Sequence, residues 1–396
     1  MWGRPLNRPN AGGVAGYRLP GDSRAVNSQA QDKHRGQSGP AAGWADEAVV
    51  ENVNVTSAQA LASPRQVKAA QPIPVGGIRQ VLEARDTIRR ILAGTDDRLL
   101  VVVGPCSIHD EPAALEYARR LRDLSQKVCD RLYLVMRVYF EKPRTIVGWK
   151  GLINDPHLDG SFDMETGIRT ARRILLAVTG MGLATGTEML DPITPQYIAD
   201  LVAWAAIGAR TIESQTHRQM ASGLSMPIGY KNSTAGDLGL AIDAMKSARA
   251  PHSFLGIDED GRTAIIKTRG NPLGHLILRG GKHGPNYDAH SVAQALEVLS
   301  AAKLPAAVMV DCSHANSEKK FRNEEKVWKD VIHQRRAARR PGLMGLLLES
   351  NLLEGNQPLP NPPVGLKYGV SITDECLGWD KTEELILWAH AQLRRP

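Results

Sequence analysis

Four residues of metal-ligating type stand at separated points of the sequence, and three of them end apolar runs. Cys106 follows the run LLVVVG at 99–104 and a Gly104-Pro105 break, His314 ends AVMVDCSH at 307–314, and Glu349 ends LMGLLLE at 343–349. Asp374 lies further on, in the loop sequence YGVSITDECLGW. A thiolate, an imidazole and two carboxylates form a donor set of mixed hardness, suited to divalent Mn, Fe, Co or Zn and less suited to Mg. A strand cysteine ordinarily fills a core. Pro105 breaks the strand before Cys106 and takes it out of that role, whereas Cys312 stays open as a rival ligand because period-two alternation puts it on the strand face of His314.

A second set is cationic. Arg137, Lys142, Arg144, Arg210, Lys231 and Arg279 occupy apolar strand ends or the loops just beyond them. Several buried cations without partners are costly, so a polyanion is expected to complete the site. Arginine matches phosphate and carboxylate bidentately and lysine supplies a point charge; six such groups exceed the need of one phosphate.

These residues must be positioned by the elements that carry them. Short apolar runs recur at 99–104, 132–139, 183–189, 209–214, 226–232, 275–281, 307–314 and 343–349. Helical patterns separate them, among them EPAALEYARRLRDLSQKV, TPQYIADLVAWAA and SVAQALEVLSAA, with KTEELILWAHAQL after the last run. Eight strands alternating with helices predict an α/β fold, a closed (β/α)8 TIM barrel whose chemistry sits at the C-terminal ends of the strands. An open doubly wound sheet would announce itself by Gly-x-Gly-x-x-Gly after a strand, and no such sequence occurs. FLGIDEDGRTAIIKT at 254–268 reads as a β-hairpin inserted before the sixth strand, and IRQVLEARDTIRRIL from residue 78 as a helix that Gly94 ends.

The 396 residues carry a net charge of +7, with no aromatics interleaved among the basic runs, so nucleic acid is not an expected partner. No apolar stretch reaches the length of a membrane span, and a cytoplasmic location with reduced thiols is expected from four sparse cysteines. Residues 1–45, rich in Gly, Pro, Ser, Asn and Arg, read as disordered or as an upstream extension.

The motifs GPCSIHD, RVYFEKPRTIVGWKGLINDPHLDGSFD, GARTIESQ, GYKN, LILRGG, DCSHANS, EGNQ and YGVSITDECLGW, in this order, closely resemble the type I 3-deoxy-D-arabino-heptulosonate 7-phosphate (DAHP) synthases. The resemblance runs from about residue 78 to the C-terminus. It implies condensation of phosphoenolpyruvate with erythrose 4-phosphate at a divalent metal (Mn, Fe or Co, with Zn as a further option), the first step of the shikimate pathway. Carried over motif by motif, the ligands are Cys106, His314, Glu349 and Asp374, which leaves Cys312 as a packing residue. Arg137, Arg210, Lys231 and Arg279 match the phosphoenolpyruvate clamp, and Lys142, Arg144 and Thr145 the erythrose 4-phosphate site. Glu188 and Lys231 are the candidates for handling water and its proton. Two other readings stay open: a sister synthase of the 3-deoxy-octulosonate 8-phosphate type, and a non-catalytic barrel acting as a regulatory subunit.

The resemblance further implies a homo-oligomer, tetramer or dimer, inhibited by an aromatic amino acid away from the catalytic mouth. Residues 46–98 are the expected regulatory and oligomerisation segment, and 99–396 the catalytic barrel. The matching inhibitor positions are Pro195, Gln196, Met220, Leu224, Ser225, Phe254 and Gly256. A glycine at 256 is expected to leave room for a phenol hydroxyl, which favours tyrosine as the inhibitor.

Overall fold

The computed structural model describes residues 51–338 and 342–394; the expected extension over 1–45 lies outside them. The chain divides into Met1–Gln59 and Ala60–Pro396. Of the first unit, residues 51–59 are described, an exposed turn and extended stretch. The second unit holds every named strand and helix.

In chain order the strands are β1 (Leu99–Gly104), β2 (Leu132–Arg137), β3 (Ala184–Glu188), β4 (Trp204–Ile207), β5 (Ile228–Lys231), β6 (Ser253–Ile257), β7 (Thr263–Lys267), β8 (Gly274–Leu278), β9 (Val308–Asp311) and β10 (Leu343–Glu349). All but β6 and β7 form a closed parallel barrel, β1 pairing β2 on one side and β10 on the other. The helices are α1 (Pro64–Ala70), α2 (Val75–Leu92), α3 (Glu111–Val128), α4 (Met164–Gly180), α5 (Pro195–Ile198), α6 (Gln215–Gly223), α7 (Gly239–Arg249), α8 (Ala289–Ala301), α9 (Glu324–Ala338) and α10 (Trp379–Leu393). Among the described residues no helix is long and apolar enough to cross a membrane.

Helices outside and side chains inside bury both faces of each barrel strand, which is why β1 and β10 are continuous apolar runs rather than alternating ones. Inside, Leu100, Val102, Val135, Trp204, Ile277 and Met309 pack with Ala84, Ile88 and Ile91 of α2. That helix therefore closes the N-terminal mouth. Arg85 fastens it by donating to the carbonyls of Ala199 and Val202 at 2.6 and 3.0 Å, and Gly94 follows its end at φ +71°, the left-handed position glycine takes at little cost.

The fourth strand corrects the sequence expectation. It runs over Trp204–Ile207, beginning within the stretch 194–206 expected to be helical, while 209–214 forms a turn that leads into α6. Ala203, Ala205 and Ala206 favour a helix locally, but helix α5 and one 3-10 turn end at Leu201. Burial decides the rest. A Cβ on Gly186 would lie 3.0 Å from Trp204 Cε3, and one on Gly229 2.8 Å from its Cζ2, so glycines in β3 and β5 make the space this indole fills. Its Nε1 donates to His275 Nε2 at 3.1 Å.

The inserted hairpin forms as expected, β6 pairing β7 antiparallel about an Asp258–Gly261 turn. Helix α1 sits against that turn through Arg65–Asp260 and Lys68–Glu259 ion pairs of 2.6 and 3.0 Å.

Candidate active site

The candidate residues gather at the C-terminal mouth because each lies at the end of a barrel strand or in the loop behind it. At the end of β1, the peptide turns at Gly104 (φ +148°), where a Cβ would meet the Arg137 backbone at 3.1 Å. Cys106 follows, fully buried, with Sγ 3.6 Å from Asp374 Oδ2 and 3.0 Å from Lys142 Nζ. Donor atoms of Cys106, Glu349 and Asp374 all lie within 4.8 Å of one another. A thiol between two carboxylates fits a borderline-soft divalent ion.

The charges bear on one another strongly. Burial, then the Glu349 carboxylate, pushes the Cys106 thiol up to about 11, against the pull of Lys142. Burial alone would raise Asp374 too, but Lys142 and His314 hold it below the usual carboxylate range.

His314 stands apart from the three-residue group. It adopts φ +60° three residues beyond β9 and turns Nδ1 to Asp311 Oδ2 at 3.0 Å. The same carboxylate oxygen meets Lys231 Nζ at 2.9 Å. Burial works to raise Asp311, and His314 and Lys231 beside it hold it well below the usual carboxylate range.

The cations divide into three groups. Arg137 is fully buried: Nη2 donates to Glu349 Oε1 at 2.9 Å, the guanidinium covers the Tyr139 ring at 4.0 Å, and Nη1 has no hydrogen-bond partner. Arg137 and Lys231 thus have carboxylate partners within the protein, contrary to the expectation of unpaired cations. Arg279, at 9% exposure, has none among the described residues; burial lowers its pKa, Asp311 opposes that and Arg210 adds to it. Arg210 is exposed at the rim, donating to the Pro143 carbonyl at 3.3 Å, and Arg144 and Thr145 are exposed in the long loop behind β2.

The profile of the DAHP synthetase I family matches residues 66–386. The chain belongs to this family. It is 54% identical over 342 residues to the Tyr-sensitive phospho-2-dehydro-3-deoxyheptonate aldolase of Escherichia coli K12, covering 86% of this chain and 96% of that one. The Phe-sensitive enzyme of the same organism is 54% identical over 315 residues, covering 80% and 89%. The Trp-sensitive enzyme is 48% identical over 328 residues, covering 83% and 93%. Among solved structures, the phospho-2-dehydro-3-deoxyheptonate aldolase from Francisella tularensis SCHU S4 superimposes with a TM-score of 0.84 at 44% identity, covering 87% of this chain and all of that one.

Asp311, which ends β9, has no role in the sequence reading. The signal was there: a carboxylate ending an otherwise apolar VMVD strand, fully buried, needs cations. Asn232 is a second omission. Its Oδ1 accepts from the Arg279 backbone N–H at 2.9 Å and its Nδ2 donates to the Gly280 carbonyl at 3.0 Å, joining the ends of β5 and β8.

The inhibitor positions are dispersed over three elements. Pro195 and Gln196 open α5, Met220 is buried in α6, Leu224 and Ser225 follow α6, and Phe254 and Gly256 lie in β6. The Ser222–Thr268 hydroxyl pair at 2.6 Å and the Asn271-to-Leu224 hydrogen bond at 3.0 Å tie α6 to the hairpin base. The room expected beside Gly256 is taken, since a Cβ there would lie 2.8 Å from Ile266 Cγ1.

Gly208, just behind β4, has a clearer consequence. A Cβ at that position would fall 2.2 Å from Glu188 Oε1 and 2.9 Å from Cδ, so the Glu188 carboxylate occupies the space glycine leaves. Gly208→Ala is expected to displace it and lower kcat by on the order of ten- to a hundredfold with little change in thermal stability. Wild-type turnover in this variant, measured beside its melting curve, would show that the position of Glu188 does not matter.

Proposed function

We propose that the chain condenses phosphoenolpyruvate with erythrose 4-phosphate and water to give DAHP and phosphate, the entry step of the shikimate pathway. One observation carries the reading: a thiol and two carboxylates within 4.8 Å of one another, bordered by buried cations at the C-terminal mouth of a barrel of the DAHP synthetase I family.

Cys106, Glu349 and Asp374 would hold the divalent ion, Mn, Fe or Co in preference and Zn as an alternative. His314 would join them through Nε2, with its Nδ1 standing 3.0 Å from Asp311 Oδ2 on the other side of the ring. An ion bound there supplies Lewis-acid polarisation of the aldehyde oxygen. The residues of the chain do the rest. Arg137, Arg210, Lys231 and Arg279 bind the phosphate and carboxylate of phosphoenolpyruvate, Arg137 with an Nη1 that has no hydrogen-bond partner among the described residues. Lys142, Arg144 and Thr145 receive erythrose 4-phosphate, the last two at its phosphate. Lys231, its ammonium held by Asp311, and Glu188 handle the water that adds at C2 and the proton it sheds.

The deciding assay offers the purified chain phosphoenolpyruvate with erythrose 4-phosphate or arabinose 5-phosphate, after chelation and with each metal restored. Turnover of the four-carbon sugar alone is expected. Preference for the five-carbon sugar points to the octulosonate-type synthase, and absence of turnover with every metal points to a regulatory barrel.

Inhibition by tyrosine rather than phenylalanine, in a dimer or tetramer, extends the proposal. The Tyr- and Phe-sensitive relatives are equally identical, but the former aligns over 342 residues against 315. Inhibition curves with all three aromatic amino acids test it, and stronger inhibition by phenylalanine refutes it.

A further inference from the structure

At the end of the barrel opposite the catalytic mouth lies a cavity of about 810 Å³. Leu92 at the end of α2, Pro305 before β9 and Leu393 at the end of α10 form an apolar part of its wall. Five arginines from four stretches of chain line it as well: Arg98, Arg131, the adjacent Arg335 and Arg336, and Arg394. Only two carboxylates, Asp96 and Asp97, stand among the described lining residues. Asp96 is committed to Arg98, whose Nη2 it accepts at 2.6 Å.

Two of the remaining guanidiniums are only partly satisfied. Arg131 Nε is buried without a hydrogen-bond partner, its nearest carboxylate, Asp130, standing off at 3.6 Å. Arg336 donates Nη1 to Gln392 Oε1 at 2.9 Å, a single bond that leaves further N–H groups of the same fork. Arg335 is held at the rim by donating Nη2 to the Asp97 carbonyl at 3.1 Å. The chemistry at the strand C-termini has no use for this end of the barrel, and gathering like charges around an apolar hollow is unfavourable unless an anion joins them.

We infer that this cavity is a second ligand site, for an organic anion that sets a flat apolar ring against Leu92, Pro305 and Leu393 and its phosphate groups against the arginines. The volume lies within the range of small-molecule sites, and guanidinium forks match phosphate oxygens in pairs. A nucleoside diphosphate is the simplest molecule with both parts.

The test is calorimetric titration of the full chain with adenosine diphosphate, with phosphoenolpyruvate at saturation so that the catalytic phosphate site is filled. Inorganic pyrophosphate serves as the charge-only probe. Adenosine diphosphate is expected to bind at least tenfold more tightly than pyrophosphate, and Arg131→Gln with Arg394→Gln to weaken it at least tenfold. The double variant is expected to keep wild-type kcat/KM and a wild-type melting curve. Should it melt early, Arg336→Gln alone replaces it, with a threefold or greater loss expected. No binding at millimolar adenosine diphosphate overturns the inference, as does equal affinity in wild type and variants, or loss of binding in Arg279→Gln. Equal affinity for the two probes overturns the apolar half of it.

Discussion

Cys106→Ser is expected to lower the affinity for manganese, iron or cobalt at least a hundredfold and kcat/KM with it, whereas Cys312→Ser leaves metal affinity unchanged. Both cysteines are fully buried, so accessibility does not separate them. Surroundings do. Cys106 Sγ belongs to the cluster with Glu349 and Asp374 and has the Lys142 ammonium 3.0 Å away, a cation that favours thiolate at the moment of metal binding. Cys312 packs in the apolar core outside the barrel strands, where burial drives its thiol well up. A serine hydroxyl is a harder and far less acidic donor than a thiol, so the substitution removes the soft member of the donor set and keeps the shape. At position 312 the same change costs core stability and nothing at the site. Metal content after dialysis against a competing chelator, read beside initial rates, separates the two. Wild-type affinity in Cys106→Ser, or full turnover in chelator with no metal bound, would remove Cys106 from the proposed ligand set.

How much of this could be read beforehand depends on whether local sequence or distant pairing fixed it. Strand β1 and strand β10 fall on their expected residues because each is an unbroken apolar run ended by glycine or by a charged residue. Helix α3 does so because Asp110 caps it through the Ala113 N–H and Pro112 suits its first turn. Strand β4 did not, since its alanines speak for a helix and only the packing of Trp204 against Gly186 and Gly229 overrules them. Helix α2 begins at Val75, ahead of the expected residue 78, across Gly76 and Gly77 that hide its start. For the site, barrel topology alone brings strand ends together, so the convergence of Cys106, Glu349 and Asp374 was legible. Which charge faces which was not: Arg137 meets Glu349 across 212 residues, and no spacing rule reaches that far. The arginine-lined cavity at the other mouth is assembled from short stretches at the ends of separate elements, 91–94, 96–99, 305–307, 335–336 and 392–394 among them, and no spacing rule joins them.

Glu141→Gln is expected to stabilise the protein increasingly as pH rises from 5 to above 8. Glu141 follows β2, immediately before Lys142, and is 4% exposed. Its Oε1 accepts from the Thr194 hydroxyl at 3.4 Å. Burial pushes its carboxyl up to about 8, the neighbouring Asp191 carboxylate adds to this, and hydrogen bonds from the Asp191 and Leu190 backbone and from Thr194 hold it back in part. In the unfolded chain the same group loses its proton near an ordinary value of about 4.3. Between these two values the folded protein binds the proton and the unfolded chain does not, so stability falls as pH rises through the window and the loss is complete above the folded pKa. At about 1.4 kcal/mol per pH unit the full cost is roughly 3–5 kcal/mol. Glutamine keeps an acceptor oxygen for Thr194 and cannot ionise, so it escapes the cost. Denaturant midpoints of the two proteins should nearly coincide at pH 5 and separate progressively to pH 8.5, the variant being the more stable. Parallel curves across that range would mean that Glu141 gives up its proton as readily inside the fold as outside it. The segment it anchors carries Lys142 and Arg144, so ionisation beside Asp191 also sets like charges against each other under the loop proposed to receive the sugar phosphate. The same titration should therefore appear as a rise in KM for erythrose 4-phosphate above pH 8 in the wild type, absent from the glutamine variant.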